Sequence, residues 1–269
     1  MNLGKRMSMN ASMVPNGSRV ADIGCDHGKL SVYLVEKGIA TEAVASDVAE
    51  GPLRRAQETV KQAGLGDKIH IRLGYGAETI GLDADGRPEV DTAVMAGIGG
   101  MLALDIVKRS IDLFRALDCF IIQAQSNLDT MREELDAMDF VITDEEMAFE
   151  DGKFYTAIKY VPAEKCEAAN AYGDAGEDMT HVSYCYTRHD DFVHSETVRG
   201  GSLDEADLLY GPILRRKAPV VFKTYLTREQ SVCSGILANL EGTDNGAKIK
   251  EIRGRLEIIA KILDGRDDR

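Results

Sequence analysis

The feature that most constrains this chain is Arg19-Val-Ala-Asp-Ile-Gly-Cys-Asp-His-Gly28, an apolar run that breaks into a glycine turn just ahead of the helix-period segment Leu30-Ser-Val-Tyr-Leu-Val35. A second short apolar run ends in an acidic residue, Asp47. A buried strand that turns through glycine into a helix sets backbone N–H groups around a ligand, and an acid at the next strand end can grip a ribose diol. The two runs together point to a site for an adenosine-bearing cofactor, with Asp22 and Gly24 shaping the loop and Asp47 on the ribose hydroxyls.

Spacing narrows the choice. Asp22-x-Gly24-x-Asp26-x-Gly28 departs from the G-x-G-x-x-G of dinucleotide sites. It is similar to the first motif of class I S-adenosylmethionine methyltransferases, acidic-x-Gly-x-Gly-x-Gly, with Asp26 in place of the middle glycine. Taken alone, the motif also suits any tight strand-to-helix turn of an α/β domain, so the remainder of the chain has to decide.

A chain of 269 residues with 44% hydrophobic content can bury one large core and leaves room for something smaller. The N-terminus leads into no apolar h-region, and no uninterrupted apolar run reaches the roughly eighteen residues that a spanning helix needs. A soluble, cytoplasmic protein with no membrane partner is therefore expected. Cys25, Cys119, Cys166, Cys185 and Cys233 are scattered without C-x-x-C pairing, an odd count that suits reduced thiols better than disulfides or zinc. His181, His189 and His194 have no ligand-like partners at metal spacing, and no metal is expected.

The net charge of −13 argues against a nucleic-acid partner until its distribution is read. Residues 133–207 hold 20 Asp/Glu against 5 Lys/Arg, whereas residues 211–262 hold 10 Lys/Arg against 5 Asp/Glu. A polyanion can approach the basic C-terminal segment while avoiding the acidic one. The same charges also suit solvated helix faces.

Short apolar runs near 19–24, 42–47, 68–73, 91–96 and 118–124 alternate with helix-period segments, the rhythm of a parallel sheet. Gly51-Pro52, Met101 to Val107 and Leu128 to Met138 supply helices after the first. Phe140-Val-Ile-Thr143 and Phe154 to Val161 flank Glu150-Asp-Gly-Lys153, a hairpin signal. The expected architecture is α/β, a Rossmann-like class I methyltransferase sheet closed by an antiparallel hairpin, over residues 1–161. Periodicity disappears over 162–202, read as a linker or insertion. Residues 203–269 read as a helical hairpin, with Phe222, Tyr225, Leu226, Ile236, Leu237 and Leu240 on one helix and Ile249, Ile252, Leu256, Ile259 and Leu263 on the other. Packing, dimerisation and gripping tRNA are all open to such a hairpin, and no residue here sets an oligomeric state.

Further motifs occur in order: Val20-Ala-Asp-Ile-Gly-Cys-Asp-His27, Ser46-Asp-Val-Ala-Glu-Gly-Pro-Leu53, Ala96-Gly-Ile-Gly-Gly100, Gln123 with Arg132, Glu146 through Asp151-Gly-Lys-Phe-Tyr155, and Tyr210-Gly-Pro-Ile-Leu214. Over most of the chain outside 162–202, the set resembles the bacterial tRNA (adenine-22-N1)-methyltransferase family, a class I fold with a C-terminal coiled-coil hairpin. The resemblance implies S-adenosyl-L-methionine as cofactor and tRNA as substrate. It implies cofactor contacts at Asp22, Gly24, Cys25, Asp47, Val48, Gly74, Ala96 and Gly97, and substrate contacts at Gly99, Gly100 and Gln123. Four places depart from the family pattern. Gly28-Lys-Leu-Ser31 stands for Ala-Tyr-Leu-Pro, Gly74-Tyr-Gly-Ala77 for Gly-Asp-Gly-Leu, Ile98 for Met, and Ala124 for the Pro after Gln. In many class I enzymes the missing Asp binds the cofactor's adenine amine, a carboxylate that Tyr75 cannot supply.

The implied substrate sets the chemistry. Adenine N1 carries a lone pair at neutral pH, so positioning rather than a strong base is required, and the base has to leave any duplex to react. The product is cationic, which makes Asp26 the carboxylate expected to stabilise it. His27 either orients Asp26, meets a phosphate or packs the turn. Gly97, Gly99 and Gly100 let a base come close to the methyl group, although a glycine-rich helix entry serves structure equally well. Two other readings stay open: a class I methyltransferase on another RNA or a small molecule, and a cofactor- and RNA-binding protein without catalysis.

Overall fold

Alternation of apolar and helix-period segments produces a layered α/β body. The computed structural model describes residues 3–170, 203–240 and 244–265. Helix α1 (Lys5–Ser12) precedes strand β1 (Ser18–Ile23), and α2 (Lys29–Glu36), β2 (Ala40–Asp47), α3 (Glu50–Ala63) and β3 (Ile69–Leu73) follow. A short 3-10 turn at Gly76–Thr79 leads to β4 (Thr92–Ile98), α4 (Gly100–Arg109), α5 (Ile111–Ala116), β5 (Cys119–Ala124) and α6 (Leu128–Ala137). Strands β6 (Phe140–Glu150) and β7 (Lys153–Pro162) close a seven-stranded sheet of order β3-β2-β1-β4-β5-β7-β6. Strands β1 to β5 run parallel, and β7 pairs antiparallel with both β5 and β6. The expected fold and the expected strand positions are both present.

Both faces of the parallel strands are covered, so neighbouring residues point into two separate cores. On β5, Phe120 and Ile122 face a core with Leu104, Phe114 and Leu135, while Ile121 faces one with Leu30, Leu34 and Leu53. Phe120 meets Phe114 and Phe140 edge-on at 5.0 and 4.9 Å and stacks on Tyr160 at 5.3 Å. The β6–β7 turn places Asp151 and Gly152 at φ of +48° and +76°, the left-handed pair that a two-residue hairpin requires.

The C-terminal part differs in detail from its reading in the sequence. Helix α7 (Ala163–Asn170) continues directly from β7, where Lys165 Nζ donates to Ala116 O and pairs with Asp118. Residues 171–202, with His181, His189 and His194, lie outside the described residues. Helices α8 (Glu205–Tyr210) and α9 (Pro212–Lys217) pack against α6 and β6 instead of joining the hairpin. Their anchor is a fully buried ion pair: Arg132 Nε donates to Glu145 Oε1 at 3.0 Å, and Arg132 Nη1 donates to Leu208 O at 2.7 Å. Glu145 Oε2 accepts the N–H groups of Ile213 and Leu214, and burial pushes this carboxyl up even with Arg132 beside it. The hairpin proper is α10 (Val220–Leu240) and α11 (Gly246–Leu263). Its base seats Phe222, Leu226, Ile259 and Ile262 against Met147, Tyr210 and Leu214.

Candidate active site

At the carboxyl ends of β1, β2 and β4 the strand order reverses, the place where an open α/β sheet leaves a crevice. A cleft of about 650 Å³ opens there, within the range that holds a cofactor-sized molecule. Its floor comes from the turn after β1. The N–H groups of Gly24 and Cys25 both donate to Ser46 O, tying that turn to β2. Gly24 has φ +76°, and Gly28, at φ +65°, starts α2 so close to α3 that a Cβ would lie 3.1 Å from the Ala56 Cβ. Asp26 holds φ +48°, a left-handed position that glycine takes without strain and Asp tolerates better than most residues. The middle glycine of the family motif is thus replaced, but the left-handed backbone is kept.

Each acidic residue has its own setting. Asp22 is buried, accepts the Ser31 hydroxyl at 2.6 Å, and has its pKa pushed up to about 6, chiefly by burial. Asp47 lines the cleft at the end of β2, where its Oδ1 accepts the Ala49 N–H. Asp26 is at the mouth, 65% exposed, with His27 Nε2 and Arg55 Nη2 each 3.6 Å away. Burial, with Asp22 and Asp47 nearby, pushes the Cys25 thiol well up, so it is a packed neutral group and not a nucleophile.

All eight residues expected at a cofactor line this cleft, Asp22, Gly24, Cys25, Asp47, Val48, Gly74, Ala96 and Gly97, together with Asp26 and His27. Tyr75 lines it too, with its hydroxyl committed to Asp105 Oδ2 at 2.6 Å and Arg109 over its ring. The three expected substrate contacts lie elsewhere. Gly100 begins α4 with its N–H on Ser126 O, and a Cβ there would fall 2.5 Å from that oxygen, so close backbone packing explains this glycine. Gly99 caps the same helix outside the lining. Gln123 is wholly buried and receives Arg6 Nη1 at 3.0 Å.

Sequence reading missed the wall opposite the glycine loop. Helix α1 and the two residues before it bring Leu3, Gly4, Arg6 and Met7 to the cleft, and the end of β6 brings Glu150. The available signal was the apolar spacing Met9-x-x-x-Met13 ahead of β1, both of which are buried. No group of His, Cys, Asp and Glu among the described residues could hold a metal ion.

A glycine turn at the strand switch point, an acid ending β2 and a terminal antiparallel hairpin define the class I methyltransferase fold. The chain belongs to the methyltransferase-domain family, whose sequence model matches residues 3–158. It is 29% identical over 268 residues to the Bacillus subtilis tRNA (adenine(22)-N(1))-methyltransferase, covering 98% of each chain. The solved structure of that B. subtilis m1A22 enzyme, TrmK, superposes with a TM-score of 0.75 at 27% identity over 98% of this chain and 99% of that one. M. capricolum TrmK, solved with S-adenosyl-homocysteine, shares the fold at 22% identity, with a TM-score of 0.72 over 97% of this chain and 98% of that one.

Proposed function

We propose that this chain is an S-adenosyl-L-methionine-dependent tRNA methyltransferase that modifies N1 of adenine 22. The observation that carries this reading is the cleft at the strand switch point, which joins a ribose-gripping acid to a carboxylate at its mouth. The substrate comes from the end-to-end likeness to the B. subtilis enzyme, which includes the C-terminal helices.

The residues present fit the cofactor. The Asp47 carboxylate keeps Oδ2 for a ribose hydroxyl while Oδ1 holds Ala49, and left-handed Gly24 adds no side chain of its own to the floor. When bound, the cofactor supplies an electrophilic methyl group, so the chain has to position an acceptor and needs no strong base. Asp26, exposed at the mouth, meets an incoming extruded base and stabilises the positive charge that develops on it. His27 and Arg55 hold the Asp26 carboxylate from either side. Val48, 63% exposed beside Asp47, offers an apolar surface to a purine ring. Tyr75 supplies a ring in place of the family carboxylate, so adenine is held there by packing. The basic residues of α10 and α11 face the tRNA, and the enzyme works in the cytoplasm with its substrate.

The test is methylation of unmodified bacterial tRNA by the purified chain, with the product nucleoside located by mass spectrometry. N1-methyladenosine at position 22, lost when that adenine is replaced, is the expected result. Cofactor binding with no methylated tRNA would leave the fold assignment standing and remove the substrate.

A further inference from the structure

We propose that Arg6 is the anion-holding residue of the cleft, that it grips the carboxylate of the cofactor's amino-acid tail, and that buried Gln123 positions it. This rests on the reading of the cleft as an S-adenosyl-L-methionine site. Arg6 is fixed on three sides: Nη1 donates to Gln123 Oε1 at 3.0 Å, the guanidinium lies 5.6 Å over the Tyr155 ring, and Nη1 fills the space that a Cβ on Gly97 would need, 2.9 Å from it. Gly97 is therefore glycine for two reasons, its φ of +84° and the guanidinium above it.

A guanidinium has five donors, and Gln123 uses one of them. Among the described residues no carboxylate pairs with Arg6, although Asp22, Asp26, Asp47 and Glu150 all line the same cleft. Glu150 instead accepts the Lys5 N–H and caps the start of α1. A partly buried, rigidly held guanidinium without a counter-ion matches a planar carboxylate, to which it can donate two parallel hydrogen bonds. The tail of the cofactor carries one ammonium and one carboxylate. Buried Asp22 suits the ammonium, and the other cationic chain in the lining, Lys29, is exposed at the start of α2. That leaves Arg6 for the carboxylate. An RNA phosphate would meet the exposed rim before it reached a guanidinium seated over Gly97 and Gln123.

Affinities of S-adenosyl-L-homocysteine and of 5′-methylthioadenosine, which lacks the amino-acid tail, are to be measured by titration calorimetry on the full chain and its Arg6→Met, Arg6→Lys and Gln123→Met variants. Arg6→Met is expected to weaken S-adenosyl-L-homocysteine about 10- to 100-fold while leaving 5′-methylthioadenosine within about threefold. Arg6→Lys, which keeps the charge and loses the fork, falls between, and Gln123→Met shifts the same ratio by a smaller factor. Equal weakening of both ligands would overturn the proposal in favour of a structural role for α1. Unchanged S-adenosyl-L-homocysteine affinity with a raised KM for tRNA would overturn it in favour of a phosphate contact. Failure of the unaltered chain to bind either ligand would instead remove the cofactor reading beneath it.

Discussion

The cofactor cleft and the outer half of the α10–α11 hairpin are built in opposite ways. In the cleft, backbone geometry and charge are fixed by contacts between different elements: the N–H groups of Gly24 and Cys25 share Ser46 O on β2, Ser31 of α2 holds Asp22 of β1, and Gln123 of β5 holds Arg6 of α1. In the hairpin, Phe222, Leu226 and Ile259 are fully buried at the base, while Val232 and Ile236 further out are 49% and 39% exposed. The base belongs to the body of the protein, whereas the outer half pairs with its partner helix. A chemical site needs long-range constraint, whereas an arm needs it only where it is rooted.

The largest expected effect tests that root. Glu145→Ala leaves the Arg132 charge buried without its counter-ion and uncaps the start of α9, and is expected to cost about 3–5 kcal/mol in denaturant unfolding. A loss under about 1 kcal/mol would mean that α8 and α9 are not the structural link between sheet and hairpin. Within the cleft, Asp26→Asn keeps a residue that tolerates the left-handed backbone, and turnover is expected to fall about 100- to 1,000-fold with cofactor affinity nearly unchanged. Normal turnover would end the role of this carboxylate. Asp47→Ala is expected to weaken S-adenosyl-L-homocysteine roughly 100-fold without altering the fold, as calorimetry and circular dichroism together would report. Unchanged affinity would remove the ribose assignment.

Asp22 carries the pH dependence. Its folded pKa of about 6 lies above the ordinary value of 3.8, so the native state holds this proton more tightly than the unfolded chain. Its contribution to stability is therefore full below about pH 4 and declines towards pH 6, while affinity for a cationic ligand group changes the other way. Cofactor affinity is expected to fall as pH drops through about 6, and Asp22→Asn to flatten that profile; an equally steep profile in the variant would locate the titration elsewhere. The smallest effect belongs to the outer arm, where Ile236→Ser is expected to change stability by less than about 0.5 kcal/mol and cofactor affinity not at all.

The sheet was readable because strand and helix periods are local properties, and the glycine loop because its φ angles demand particular residues at a fixed spacing. Asp22, Gly24 and Asp47, which such spacing singles out, all line the cleft. Gln123 and Gly100 lie outside the cleft lining because a motif position does not say which side of a strand end it faces: Gln123 is buried in the body, and Gly100 packs against Ser126. Arg6 and Glu150 were missed because their place at the site follows from tertiary docking, with no local pattern to announce it. Helices α8 and α9 were merged with the hairpin because the Arg132–Glu145 pair that separates them joins residues distant in sequence from both.

Helix α1 precedes the whole sheet in the sequence, and two of its docking partners come late. Arg6 waits for Gln123, 117 residues on, and the Lys5 N–H for Glu150, 145 residues on. Until the β6–β7 hairpin has been synthesised and added to the sheet, α1 has only the α2 and β4 side of its docking surface and Gln123 to rest against. A nascent or truncated chain ending before that hairpin carries the glycine motif but lacks the Glu150 side of the cleft and the cap it places on α1.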